Sequence, residues 1–245
     1  AFNVVYTRTI NNPLIASKLT GKIGKFDVGY LVAYDQKTPF IIPFEYNSDY
    51  LSTDRKSLSN ILRMKYTIKD ETYLGFIFTD REVNKHGNHF LNVDGFNRVF
   101  GLDGNFKIGE NYFLDFQALY YASKEITEPS YNRTGTFNNG KYTKALDGES
   151  FSGFGTYLKL LRSAKHLNFE LAYIDASPEA RRDNGYMSYN NYRAVSLWSG
   201  YMFYPETDFL KRIQLSSYGV VRHTYDGKLR ELFFQPEIYV RLKHQ

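Results

Sequence analysis

Cysteine is missing from all 245 residues, so neither a disulfide framework nor a thiolate metal site can form. Also missing is any apolar run approaching the roughly 18 residues of a transmembrane helix. Histidine is scarce, with five in the chain, and no serine stands in a Gly-x-Ser-x-Gly context. Charge of a single sign is lacking too. The net charge is +5, but 31 basic residues are interleaved with 26 acidic ones and no basic run occurs, which argues against a nucleic-acid partner. Aromatic residues, by contrast, are abundant: 22 Tyr and 20 Phe.

The aromatic and aliphatic residues recur at period two, the spacing that places alternate side chains on opposite faces of a strand. In ENYFLDFQALYYASKE (110–125), Tyr112, Leu114, Phe116, Ala118 and Tyr120 share one face, and Asp115 and Gln117 lie on the other. The same alternation sets Leu62, Met64, Tyr66 and Ile68 against Arg63 and Lys65, and Phe100, Leu102, Phe106 and Ile108 against Asp103 and Lys107. It also sets Leu167, Phe169 and Leu171 against Glu170, and Leu232, Phe234, Ile238 and Val240 against Glu231, Glu237 and Arg241. No window carries a sustained helical stripe. Strands are expected at 2–10, 14–23, 25–35, 58–69, 72–82, 96–108, 111–123, 151–163, 167–175, 194–205, 209–224 and 229–243. Pro236 falls inside the last of these and predicts a bulge or an unpaired position, because proline cannot donate to a ladder.

The connections alternate in length. Tight turns fall at Gly24, Asp70–Glu71, Gly109–Glu110, Ala164–His166 and Glu206–Asp208, and long polar loops fall at 36–57, 83–95, 124–150 and 176–193. Two connections fit less well: NNP (11–13) where a long loop belongs, and the short YDG (225–227). Strands longer than the usual 5–6 residues, joined short at one end and long at the other, are the pattern of an outer-membrane barrel. The expected fold is therefore an all-β, antiparallel transmembrane outer-membrane β-barrel of about 12 strands, a single domain over 1–245 with no dividing linker and no internal repeat. The expected location is the outer membrane of a Gram-negative cell, with both termini on the short-turn side. A soluble sheet would have to hide every apolar face inside; turning those faces to lipid removes the difficulty.

On that reading Tyr73, Tyr112, Tyr120, Tyr173, Tyr201, Phe203 and Tyr204 would form interfacial girdles. The lumen would receive Lys18, Asp27, Arg63, Lys65, Asp103, Lys107, Asp115, Lys159, Glu170, Arg212, Arg222, Glu231, Glu237 and Arg241. Both signs are present, which favours cross-strand ion pairs over the one-sign rings of a selective pore.

Four segments, LTGKIGKFDVG (19–29), FIFTDRE (76–82), NRVFGLDGNF (97–106) and above all FELAYIDASPEARRDNGYM (169–187), resemble a Bacteroidota outer-membrane β-barrel family of unknown function. In that family the barrel usually follows an N-terminal domain similar to the family-9 carbohydrate-binding module. The resemblance implies an outer-membrane location and involvement with polysaccharide, and it supplies no catalytic residues. The carbohydrate-module-like domain is missing from this chain, AFNVVYTRT already reads as a strand, and RLKHQ lacks a terminal aromatic, so a piece of a larger barrel is expected.

Three loops hold the remaining chemistry. His86 and His89 with Glu82 and Asp94 are candidate ligands for a transition metal, though not at the i, i+4 spacing of a zinc protease. Glu179, Arg181, Arg182 and Asp183 are candidates for contact with a sugar or lipid headgroup, with a loop pinned by its own salt bridges as the alternative. NNGKYTKALDGES (138–150) offers Tyr, Asn and Lys to a sugar, or is an ordinary surface loop. His166, His223 and His244 lack a partner in sequence, and neither a catalytic set nor a cofactor is expected. The functional expectation is a scaffold or binding component of a surface or glycan-handling assembly, with outer-membrane lipid, polysaccharide and other outer-membrane proteins as partners. A passive channel and a rim-sited hydrolase are the alternatives.

Overall fold

The structure, a computed structural model, describes residues 1–85 and 92–243. After a 3-10 turn at Thr7–Thr9 come β1 (Pro13–Ile23), β2 (Phe26–Asp35), β3 (Thr38–Pro43), β4 (Ser48–Thr53), β5 (Ser57–Lys69), β6 (Thr72–Asn84), β7 (Val93–Ile108) and β8 (Tyr112–Lys124). They are followed by β9 (Thr136–Phe137), β10 (Tyr142–Thr143), β11 (Ser150–Arg162), β12 (Leu167–Ala176), β13 (Tyr192–Phe203), β14 (Leu210–His223) and β15 (Leu229–Leu242). Eleven of these form one antiparallel meander in the order β1-β2-β5-β6-β7-β8-β11-β12-β13-β14-β15, and β3–β4 and β9–β10 are separate hairpins. Each strand of the large sheet thus pairs with its neighbour in the chain, apart from the two places where a hairpin is inserted in the connection.

The alternation of connections expected from the sequence is present. Residues 24–25, 70–71, 109–111, 163–166 and 204–209 turn tightly at one end. Residues 36–56, 125–149 and 177–191 are long at the other end, the first two with hairpins of their own, and 224–228 is the short exception there. Period-two alternation accounts for the two faces. On one, Val99, Leu119 and Tyr121 share a buried cluster with Ala176, Tyr192 and Ala194 from strands farther along the sheet. A sheet whose separated strands meet over one face is curled, and that face is concave. The opposite, convex face exposes large apolar side chains on every strand, among them Leu19, Phe26, Met64, Leu74, Leu102, Tyr120, Leu158, Leu171, Leu197, Leu215 and Ile238.

Eleven of the twelve expected strands are in the sheet. The twelfth, 2–10, is not a strand: it makes the isolated bridge Asn3–Tyr186 and the turn Thr7–Thr9, and lies within the concave face. Phe2 donates its backbone N–H to Gln117 Oε1 (2.8 Å), and Phe2 and Val4 pack into the same cluster as Tyr121. Its apolar alternation is satisfied by filling the interior instead of by extending the sheet. The chain therefore starts midway along the concave face, not at the tight-turn end, while β15 does finish at that end. NNP is the exit from the interior: the backbone N–H groups of Asn11 and Asn12 donate to the Asp35 carboxylate at 3.2 and 2.8 Å, steering the chain into β1.

Two further expectations are corrected. Tyr73 lies on the concave face, with Lys65 Nζ 4.6 Å from its ring centre, because Leu74 holds the outward position of that strand. Pro236 causes no bulge; it pairs in continuous register with Ser217. As the edge strand, β15 can turn the proline nitrogen to its open side and lose no ladder bond.

Candidate binding cleft at the loop end

Several charged residues of the concave face sit where the sheet brings opposite signs together, and others do not. Arg63 forks onto Asp103 at 2.5 and 2.7 Å, passing over Gly75, where a Cβ would come within 2.5 Å of the guanidinium. Lys159 meets Asp115 at 2.9 Å and Glu170 at 3.9 Å, Arg222 meets Glu231 at 2.8 Å, and Lys107 pairs with Glu71. Asp27 stands opposite both Lys22 and Lys65, and Lys18 opposite Leu31. Toward the far edge Glu237 faces Ser216, and Arg241 faces Arg212, whose guanidinium rests 5.3 Å from the Tyr239 ring.

Nearer the loop end the concave face is filled. Arg81, fully buried, donates to the carbonyls of Thr9 (2.8 Å), Asp183 (2.8 Å) and Pro39 (3.3 Å). It thereby ties β6 to the N-terminal segment, the β3–β4 hairpin and the 177–191 loop. Asn97 accepts from the Asp183 N–H (2.9 Å) and donates to the Arg181 carbonyl (3.1 Å). Gly153 lets the same loop approach, since a Cβ there would meet Ser177 Oγ at 2.4 Å and the Glu179–Ala180 backbone at about 3 Å.

The loop candidates divide between inside and outside. Arg181 and Asp183 are buried and paired with each other (2.8 Å), and Arg181 also pairs with Glu125 (3.0 Å). Arg182 is buried as well, with its guanidinium 4.7 Å from the Phe2 ring and 6.0 Å from that of Tyr121, and its Nε and Nη1 have no hydrogen-bond partner. Burial lowers the Arg182 pKa from its ordinary value. Of the four, Glu179 and Arg181 line the cleft described next, where Asn138 donates to Glu179. His86 and His89 lie outside the described residues, as does His244.

Between the β3–β4 hairpin and the segments 125–149, 177–191 and 224–228 lies a cleft of about 630 Å³. Phe44, Phe137, Phe151 and Tyr225 give it aromatic walls, and Glu45, Glu179, Asn138, Asn191, Lys144 and Lys228 supply polar groups. The walls are fastened. Arg55, 6% exposed, pairs with Asp94 (2.6 Å) and Glu128 (3.2 Å), joining the hairpin to the 125–149 segment. Asp49 takes Tyr131 Oη (2.8 Å) and the Arg133 guanidinium, whose hydrogen bond holds its pKa below the ordinary value. Asn190 Nδ2 donates to the carbonyl of Pro178 (2.8 Å), and its N–H donates to that of Phe44 (2.9 Å). Tyr225 bonds Asp175 (2.6 Å) beneath the guanidinium of Arg193, 4.0 Å from the ring. Such a site is pre-formed, with flat apolar faces beside hydrogen-bonding groups of both signs, and no histidine is among its described lining residues. The sequence pointed to 138–150 and Glu179, but not to Phe44 or Tyr225, which enter only because separate loops converge.

Glu125 forms part of the cleft floor. Burial pushes its pKa up to about 7 against the pull of Arg181, with Asp147 and Glu149 adding to the rise. A carboxyl whose folded pKa is raised binds its proton more tightly folded than unfolded, so its contribution is complete below the ordinary value near 4.5 and is lost as pH climbs to about 7. In chelator-treated solution, amide exchange across 125–149, corrected for intrinsic rate, is expected to show stronger protection at pH 5 than at pH 8. Protection that rises with pH would contradict this assignment.

No family model matches the chain, and no curated protein does.

Proposed function

We propose that this chain is an outer-membrane β-barrel that serves as a glycan-binding component of a surface assembly, using the loop-end cleft. One observation supports the membrane reading above the others: the convex face carries exposed apolar side chains on all eleven strands, far more than the few hundred Å² that soluble monomers normally expose. The aromatic row Phe78, Phe100, Tyr120 and Phe154, with ring centres 4.9, 6.4 and 5.3 Å apart in sequence, crosses four strands below Asp80 and Arg98. Such a row suits a bilayer interface. Strands of 10 to 16 residues match or exceed the ~9–11 that a tilted crossing needs.

Binding is favoured over conduction because residues 1–12, the β3–β4 hairpin and the 177–191 loop occupy the concave face at the loop end. It is favoured over hydrolysis because no histidine is among the described residues that line the cleft. The likeness of four segments to the Bacteroidota barrel family, with its carbohydrate-module association, points the same way.

The reading also sets a requirement at the sheet edges. Eleven is odd, so β1 and β15 run in the same direction, and they are unpaired in this sheet. A bilayer does not tolerate open edges. Direct closure of β1 on β15 would be parallel, whereas antiparallel closure needs an odd number of further strands between them.

Fractionation followed by heat-modifiable gel migration tests the location: a shifted band in the detergent-extracted outer membrane is expected, and a soluble protein without a shift would remove the proposal. For the cleft, binding of soluble surface polysaccharide fragments to the detergent-folded protein is expected to weaken about tenfold in Phe137→Ala or Tyr225→Ala, the ~1–1.5 kcal/mol of one aromatic contact. Equal binding by wild type and both variants would place any glycan elsewhere.

A further inference from the structure

At the edge of the cleft floor three acidic side chains converge. Glu125, Asp147 and Glu149 each bring a carboxylate oxygen within 4.8 Å of the other two. Local structure holds them there. The Glu125 N–H donates to the Glu149 carbonyl (2.9 Å), Thr127 and Asp147 form a bridge, and Gly148 between the two acids takes a φ of +92°, which L side chains rarely adopt. Thr143 then engages one oxygen on each outer acid: its hydroxyl donates to Asp147 Oδ2 and its N–H to Glu149 Oε2, both at 2.8 Å. A second oxygen on each carboxylate is left for another partner.

Acidic clusters are common on surfaces; this one differs in its buried member. Glu125 is 6% exposed, its Oε1 accepts from Arg181, and its Oε2 has no hydrogen-bond partner. A buried carboxylate oxygen without a donor costs free energy. The one cation that faces it, Arg181, is shared with Asp183, and among the described residues neither Asp147 nor Glu149 forms a salt bridge. Three carboxylates therefore meet with only a share of the Arg181 charge to offset theirs.

We propose that Glu125, Asp147 and Glu149 form a divalent-cation site of the calcium class, with the unpartnered Glu125 Oε2 as its buried ligand. The donors are all hard oxygens, carboxylates with a hydroxyl close by, and among the described residues no nitrogen or sulfur ligand joins them; this set suits calcium and not zinc or copper. Bound cation would cross-link β8 to the far end of the 26-residue span from Lys124 to Glu149, closing the longest described connection on itself. The affinity expected for an exposed, partly hydrated site of this charge is that of extracellular modules, about 10⁻⁴–10⁻³ M.

The test is calcium titration of the chelator-stripped, detergent-folded chain by calorimetry, with tyrosine-sensitised terbium luminescence as a second reading. Both are independent of any glycan. One saturable site is expected, tighter for calcium than for magnesium, and weakened at least tenfold by Asp147→Asn, which changes an exposed residue and leaves the buried pair with Arg181 in place. Glu125→Gln is expected to weaken it likewise, and Glu206→Gln, a remote acid, to leave it unchanged. Absence of saturable calcium binding in the wild type, or binding that survives Asp147→Asn undiminished, would overturn the site. Loss of glycan binding with calcium binding intact would count against the cleft alone.

Discussion

Replacing Arg81 by methionine is expected to destabilise the folded protein by about 3–5 kcal/mol, the cost of breaking a buried charge network from one side. The guanidinium has no exposure, and three carbonyls from three different segments converge on it. Asp35, also buried, has Arg81 at 3.9 Å and would keep only the two amide donors of Asn11 and Asn12. Methionine fills similar volume, so the loss reports the unsatisfied carbonyls and carboxylate, not a cavity. The midpoint of urea unfolding, read by the heat-modifiable shift, gives the number. A loss under about 1 kcal/mol, the scale of a single net hydrogen bond, would mean that the filling of the loop end is held by packing alone.

The second large effect tests which solvent the convex face meets. Leu102→Arg and Leu171→Arg, both on exposed apolar positions, are each expected to cost about 2–4 kcal/mol in lipid vesicles, the penalty for a cation near the bilayer midplane. Glu237→Arg, on the concave face opposite Ser216, is expected to cost much less. In water an exposed Leu→Arg change would be nearly neutral, so small losses at Leu102 and Leu171 would contradict a lipid-facing belt, and equal losses on the two faces would contradict the assignment of faces.

The two faces were legible in advance for a simple reason. A strand's period is two, and a one-residue slip would turn every apolar side chain to the wrong side, so Leu114 against Asp115, or Leu171 against Glu170, fixes orientation without knowledge of neighbours. Long strands and alternating connections then leave little freedom in topology, because consecutive strands pair when short turns join them. Two features lie elsewhere than expected, one because parity was set aside and one because alternation alone does not make a strand. Tyr73 was assigned by residue type instead of by parity with Leu74. Residues 2–10 do alternate, but alternation says only that one side is buried, not that the backbone finds a ladder.

The loop end shows the opposite case. Arg181, Arg182 and Asp183 stand together in the sequence, yet whether they face solvent depended on Glu125, Phe2 and Tyr121, residues distant in the chain. Glu125 itself carried no signal, standing just past the end of β8 in a loop of ordinary composition; its environment exists only because Asp147 and Glu149 return to it from more than twenty positions away. By itself the sequence determined the eleven strands of the large sheet, their order and their two faces, since these follow from local periodicity and from short connections. Only the tertiary structure decided what fills the concave face, which loops wall the cleft and where three carboxylates meet, because those depend on contacts between segments whose separation in sequence carries no periodic trace.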